Sequence, residues 1–144
     1  MEVSRIRALR GPNLWTHHTA VEAIVRCTPE ELSITEIPDF ESRLRALFPE
    51  IGPLQATGHD DAIPLARVFE LAALALQAQA GCPVTFSRTT QTLEDGIFQV
   101  VVEYSEEDVG RQALDFAEKL VNAALHNQSF DLATALHELR ELDE

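Results

Sequence analysis

The sequence has few cysteines and no long hydrophobic run, and each shortage excludes a class of protein. Cys27 and Cys82 are the only cysteines among 144 residues, and they form no CxxC motif. Both sit in apolar surroundings, so we expect two buried thiols rather than a disulfide or a metal site. No run approaches the length of a transmembrane helix, and the N-terminal segment "MEVSRIRALRG" has no apolar signal-peptide core. We therefore expect a cytoplasmic protein without a membrane partner.

Positive charge is scarce as well. The chain has 11 Lys and Arg against 24 Asp and Glu, a formal net charge of −13, and ten of the 11 basic residues are arginine. Because binding to a phosphate backbone needs a basic surface, we expect no nucleic acid partner. The arginine excess could reflect codon usage. It could also mean that some arginines bind carboxylates with a two-pronged guanidinium group, which lysine cannot do.

The chain has enough apolar residues for one folded domain, since 45% of its 144 residues are hydrophobic. Strands are predicted over residues 2–9, 20–28, 83–92 and 96–105, and helices over residues 38–50, 65–81, 106–127 and 130–144. Strands separated by helices in this order favour an α+β fold. We expect a single domain with a mixed or antiparallel sheet of about four strands, covered by helices on one face.

Local signals mark the ends of these elements. "RGPNLW" (10–15) predicts a turn, "HDD" (59–61) an N-cap region for the helix that follows, and "LEDG" (93–96) a hairpin. Gly81 is the residue type expected just after a helix C-terminus. The chain reaches residue 144 inside the last predicted helix, so that helix either frays there or continues in a longer protein.

The periodicity also assigns faces to these elements. The strand at 96–105 places Phe98, Val100, Val102 and Tyr104 on one face. The helix at 106–127 carries two i,i+4 ion pairs on its solvent side, Glu107–Arg111 and Asp115–Lys119. The last helix is expected to bury its four leucines, Leu132, Leu136, Leu139 and Leu142.

The helical segment "LARVFELAALALQAQAG" (65–81) is apolar, yet it carries Arg67 and Glu70 three positions apart. At 100° per residue, Leu74 and Gln77 lie on the same side of the helix as these two residues. One interpretation is an ion pair across the first turn, with both side chains facing water. The other is a functional site.

Four segments resemble the N-terminal domain of cyanophycin synthetases: "LRGPNLW" (9–15), "AGCPVTFSRT" (80–89), "GIFQVVVEY" (96–104) and "EEDVGRQAL" (106–114). The resemblance implies that an ATP-grasp domain and a Mur-ligase-like domain follow residue 144. It implies ATP and Mg²⁺ as cofactors of the whole enzyme, and no cofactor in this domain. The product of such an enzyme is cyanophycin, a polyaspartate chain with an arginine on each side-chain carboxylate. A homo-oligomeric full-length enzyme is also implied.

Some members of this family carry an HxxEH motif on the helix that matches 65–81, and the resemblance aligns that motif with residues 67–71. Glu70 is present, but Arg67 and Leu71 replace the two histidines. A catalytic zinc site needs at least three protein ligands, and neither arginine nor leucine can supply one. A peptidase that trims the polymer to make primers is therefore disfavoured, and the full enzyme is expected to need added primer.

The remaining hypothesis is a polymer-binding site at the position of the lost metal site. Glu70 would bind a substrate guanidinium, and Arg67 and Arg88 would bind a carboxylate. Arg88 lies mid-strand, where a cross-strand ion pair with Glu103 is the alternative. Arg5 and Arg7 are weaker candidates that should share one face of a strand. The other alternative is a structural or oligomerisation domain without a ligand.

Overall fold

In a computed structural model, the chain forms a four-stranded sheet with helices packed on it, and residues 1–9, 19–54 and 63–143 are described. The strands are β1 (Glu2–Leu9), β2 (Ala20–Arg26), β3 (Ser87–Gln91) and β4 (Ile97–Glu103). The helices are α1 (Phe40–Leu47), α2 (Leu65–Gln79), α3 (Glu107–Leu125) and α4 (Leu132–Asp143). The strand order is β1-β2-β4-β3 and every neighbouring pair is antiparallel. The predicted single α+β domain is confirmed, and the sheet is antiparallel rather than mixed.

The two faces of the sheet differ in character. Val21, Ala23 and Val25 of β2 and Phe98, Val100 and Val102 of β4 belong to the hydrophobic core that the helices cover. We call this side the inner face. The intervening positions, Glu22 on β2 and Gln99 and Val101 on β4, lie on the opposite side, the outer face. The face predicted for Phe98, Val100, Val102 and Tyr104 is confirmed, since all four are buried.

A β-bulge interrupts β1. Ser4 is opposite Ile24 and Arg7 is opposite Glu22, so two residues of β1 face the single residue Ala23 between them. Arg5 at the bulge has a φ of 52°, in the left-handed region. Arg5 and Arg7 were predicted to share one face because strand residues alternate regularly. The bulge breaks that alternation between them, so the prediction is wrong. The bulge also explains the irregular alternation of "EVSRIRAL".

Strand β3 is shorter than the predicted 83–92. The backbone N–H groups of Thr85 and Phe86 donate to the Glu103 carboxylate, at 2.8 and 3.1 Å, instead of to a strand ladder. A side chain thus occupies the donors that would have extended the strand. The hairpin predicted at 93–96 does connect β3 to β4, and Gly96 there has a φ of +77°.

Helix α2 is buried at nine of its 15 residues, as its apolar sequence predicts, and only Ala78 and Gln79 at its end are exposed. It ends where expected, because Gly81 follows it with a φ of +95°. The predicted N-cap region is wrong: the N-cap position is Pro64, which makes no side-chain capping bond. The "HDD" segment and the "RGPNLW" turn lie outside the described residues.

Helix α4 contacts α3 and α2 through a narrow stripe. Ala135 and Leu139 are buried, Leu132 and Leu136 are half-buried, and Leu142 is 41% exposed. The predicted burial of Leu142 is therefore wrong, because the packing of α4 buries Ala135 and Leu139 in its middle and leaves its last turn exposed. None of the helices in the described part of the chain is long and apolar enough to cross a lipid bilayer.

Candidate functional site

The carboxylate of Glu70 on α2 is the centre of a buried polar cluster. Its Oε1 accepts hydrogen bonds from Arg67 Nη1, at 2.6 Å, and from Thr89 Oγ1, at 2.8 Å. Its Oε2 accepts a hydrogen bond from the Ser87 hydroxyl. Glu70 is 0% exposed, while the Arg67 side chain is 35% exposed. We call Arg67, Glu70, Ser87 and Thr89 the α2–β3 cluster.

The local sequence explains how this cluster forms. Arg67 and Glu70 are one helical turn apart, so their side chains meet on one side of α2. Ser87 and Thr89 are two apart on β3, so both point to the inner face, where α2 packs. The predicted Arg67–Glu70 pair is confirmed, but the interpretation in which both side chains face water is wrong for Glu70. A buried carboxylate loses its hydrogen bonds to water. The hydroxyl groups of β3 donate hydrogen bonds that take their place.

Gln77 extends the contact between α2 and the sheet. It lies two turns beyond Glu70 on the same side of α2, is 0% exposed, and donates from Nε2 to the Glu103 carbonyl oxygen, at 2.9 Å. Glu70 thus anchors α2 to β3, and Gln77 anchors it to β4. The polar side of α2 predicted from its sequence is therefore a fixed contact with the sheet and not a solvated face.

Arg88 points to the other side of the sheet. Its two neighbours, Ser87 and Thr89, bond to Glu70 on the inner face, so strand alternation places Arg88 on the outer face. Arg88 is exposed, and its Cα partner on β4 is Val101. Among the described residues none forms a hydrogen bond or ion pair with its guanidinium group. The alternative of an Arg88–Glu103 ion pair is therefore wrong.

The outer face continues across the sheet through paired polar residues. Val101 is opposite Glu22 on β2, and Glu22 is opposite Arg7 on β1. Arg7 Nη2 lies 3.0 Å from Glu22 Oε1, and Gln99 Nε2 donates to Glu22 Oε2 at 2.6 Å. Arg7 is thus partly neutralised, although its side chain is 66% exposed.

The six residues predicted for the site consequently divide into separate groups. Arg67 and Glu70 meet at the inner face, Arg88 and Arg7 lie on the outer face, and Arg5 lies at the β1 bulge. Glu103 is 7% exposed, and its side chain holds the backbone of residues 85 and 86. Four residues of these groups were not predicted from the sequence: Ser87, Thr89, Glu22 and Gln99. The alternation of small hydroxyl residues around Arg88 was the signal that could have identified the first two.

A zinc site does not fit the α2–β3 cluster. Arg67 and Leu71 occupy the motif positions where histidines would bind the metal, and the Glu70 carboxylate has no exposed surface. No group of three His, Cys, Asp or Glu side chains suited to a metal ion occurs within residues 1–9, 19–54 and 63–143. Cys27 and Cys82 are buried and free, and burial raises the pKa of both thiols, which keeps them protonated and unreactive.

Comparison with known proteins identifies related sequences. A family model described as "Cyanophycin synthase-like N-terminal domain" matches residues 23–126. The cyanophycin synthetase of Trichormus variabilis is 31% identical over 154 residues, which cover 99% of this chain and 17% of the relative. That of Geminocystis herdmanii is 30% identical, with 99% of this chain and 18% of the relative covered. The chain thus spans less than a fifth of the length of these relatives.

Proposed function

Since the chain belongs to the family of cyanophycin synthase-like N-terminal domains, we propose that it binds the cyanophycin polymer and holds it during synthesis. In this proposal an ATP-grasp domain and a Mur-ligase-like domain of the same protein, which use ATP and Mg²⁺, add aspartate and arginine to the chain end. Holding the polymer raises the effective concentration of that end at each active site. Several weak contacts suit this task, because the polymer must also slide.

The observation that carries the proposal is the unpaired guanidinium group of Arg88. It is exposed in the middle of a strand, and none of the described residues neutralises it. Each unit of the polymer has a free carboxylate on its attached arginine. An arginine binds a carboxylate through two parallel hydrogen bonds, a geometry that is both stronger and more selective than a single contact.

Arg67 supplies a second contact in the proposal. One of its terminal nitrogens is held by Glu70, and the side chain remains 35% exposed, so other N–H groups can reach a ligand. We assign Glu70 a positioning role in place of direct contact, because its carboxylate is fully buried and accepts three side-chain hydrogen bonds. Arg5, Arg7 and Glu103 remain weaker candidates for polymer contact.

The test is a titration of the chain with synthetic oligomers of four aspartyl-arginine units, followed by calorimetry at low and at high salt. We expect Arg88→Gln to weaken binding by about tenfold, which is the loss of one charge-assisted contact. Arg45→Gln is the matched control, because it removes the same charge from an α1 side chain that pairs only with Glu41 among the described residues. Its affinity should equal that of the unmodified chain.

Two results would contradict the proposal. One is the absence of binding at millimolar oligomer, which would leave a structural or oligomerisation role for the domain. The other is an equal loss of affinity in Arg88→Gln and Arg45→Gln, which would reduce the interaction to net charge.

A further inference from the structure

The two edge strands of the sheet are built differently. On β1, the bulge and the left-handed Arg5 disrupt the ladder, a device that keeps an edge from pairing with another strand. On β3, all five residues pair with β4 in one unbroken register, from Ser87 opposite Val102 to Gln91 opposite Phe98. The β3 edge therefore has the regular geometry that an added strand requires.

The hydrogen-bond phase of β3 shows which backbone groups face this edge. Glu103 N donates to Phe86 O, and Thr92 N donates to Ile97 O, both at 2.9 Å. Bonded pairs recur every second residue in an antiparallel ladder, so positions 86, 88, 90 and 92 bond to β4. The N–H and C=O groups of Ser87, Thr89 and Gln91 then point away from β4. In the described part of the chain no other backbone group pairs with them.

The strand is also held in place before any ligand binds. Glu70 accepts from the Ser87 and Thr89 hydroxyls on the inner face, so α2 fixes the two residues whose backbone groups form the centre of the edge. A strand that is already ordered loses little conformational freedom when a partner pairs with it.

We propose that the β3 edge binds the polyaspartate backbone of the polymer as an added strand. This inference rests on the proposed function. Side chains of an added strand alternate between the two faces of the sheet. Those on the outer face bring a free carboxylate to Arg88, and those on the inner face bring one to Arg67, which shares Glu70 Oε1 with Thr89. One bound chain thereby uses both arginines, although they lie on opposite faces.

Charge favours the polymer over a second copy of the protein as the occupant. Two copies of this chain each have a formal net charge of −13, so pairing of β3 with β3 brings together strongly repelling molecules. The polymer unit carries one carboxylate and one guanidinium group and has no net charge. Its peptide backbone supplies N–H and C=O groups that can pair with those of the edge.

The test compares two oligomers of four aspartyl-arginine units. One is unmodified, and the other is N-methylated at every aspartyl backbone nitrogen, which keeps all charges and removes the ladder donors. We expect the methylated oligomer to bind at least about tenfold more weakly. With the unmodified oligomer, the amides of Ser87, Thr89 and Gln91 should exchange with deuterium at least about tenfold more slowly. Arg88 and Thr90, whose amides already bond to β4, should change little.

A pair of variants tests the same edge from the protein side. Thr89→Pro removes an edge N–H and blocks the ladder, whereas Thr89→Val keeps that N–H and loses only the hydroxyl bonded to Glu70. We expect Thr89→Pro to bind at least about tenfold more weakly than Thr89→Val, with both variants shown to be folded by circular dichroism. Should Thr89→Pro fail to fold, the two oligomers decide the question on the unmodified protein.

The outcomes separate this inference from the proposed function. Equal affinity for both oligomers overturns strand addition and leaves polymer binding intact. No binding of either oligomer overturns both. Protection of the β3 amides that rises with protein concentration in the absence of oligomer assigns the edge to a second copy, and overturns the polymer as its occupant.

Discussion

The hydroxyl of Thr89 on β3 donates to Glu70 Oε1 on α2 at 2.8 Å, the oxygen that also accepts from Arg67. A carboxylate with no exposed surface therefore joins the half-exposed Arg67 to the edge strand of the sheet. The contact links the stability of the domain to the position of the arginine proposed to bind the polymer.

Replacing Glu70 with alanine should destabilise the domain by about 3 kcal/mol, because it leaves a partly buried guanidinium and two hydroxyl groups without their acceptor. The value is at the low end for a broken buried pair, since Arg67 remains accessible to water. Urea unfolding at pH 7 measures it. Glu41→Ala is the control, because Glu41 forms an exposed ion pair with Arg45 and should change stability by less than about 0.5 kcal/mol. Equal effects of the two variants would contradict the structural role of Glu70.

Arg43 on α1 caps the C-terminal end of α3. Its Nε donates to Ala124 O at 2.6 Å and its Nη2 to Leu125 O at 3.4 Å, while Nη1 donates to Pro38 O at 3.1 Å. The last carbonyl groups of a helix lack internal partners and carry partial negative charge. We expect Arg43→Gln to lower the free energy of unfolding by about 2 kcal/mol. Arg45→Gln on the same helix should lower it by less than about 0.5 kcal/mol in the same urea titration.

Gly110 is required where α3 passes Tyr104. A Cβ built on Gly110 would lie 2.6 Å from the Tyr104 Cβ, closer than carbon atoms approach. Alanine is the better helix former by about 1 kcal/mol, but the overlap costs about 1–3 kcal/mol. We therefore expect Gly110→Ala to destabilise the domain and to lower its melting temperature in calorimetry. A stabilised variant would show that helix propensity dominates and that the close approach is absent.

Glu31 makes stability depend on pH in the acid range. Its carboxylate accepts from the Thr28 N–H at 2.9 Å and from the Met1 ammonium group at 2.6 Å. Burial raises the pKa of Glu31, but the bonds from the ammonium group and from Thr28 together lower it below the ordinary value of 4.5. As the pH falls below 4.5, the unfolded state therefore binds more protons than the folded state. The stability that Glu31 contributes decreases over this range and is lost once the pH has fallen through the folded-state pKa.

The variant Glu31→Gln isolates this effect. Urea titrations between pH 3 and pH 7 should show the difference in unfolding free energy between the two proteins at its largest near pH 7. It should shrink as the pH falls below 4.5 and through the lowered folded-state pKa, because Glu31 then becomes protonated in the folded state as well. A difference that stays constant over this range would mean that the Glu31 charge contributes nothing to folding.

Much of the local structure could be predicted from residue patterns. The strand around Phe98 and Val100 has the predicted buried face, Gly81 ends α2, and the pairs Glu107–Arg111 and Asp115–Lys119 lie at 3.0 and 2.9 Å. Each of these depends on neighbours within a few residues along the chain. The bulge at Arg5 was beyond such reasoning, because it is defined by the register against β2.

The sequence by itself determined the α+β class, the acidic charge, the periods of strands and helices, and the pairing of Arg67 with Glu70, since all of these follow from composition or from contacts within one turn. Only the tertiary structure decided that Glu70 is buried and that Arg88 lies on the opposite side of the sheet. The reason is that Ser87 and Thr89 reach Glu70 from 17 and 19 residues away. Strand alternation predicts that Arg88 points to the face opposite to that of Ser87 and Thr89. The packing of α2 determines which of the two faces is covered.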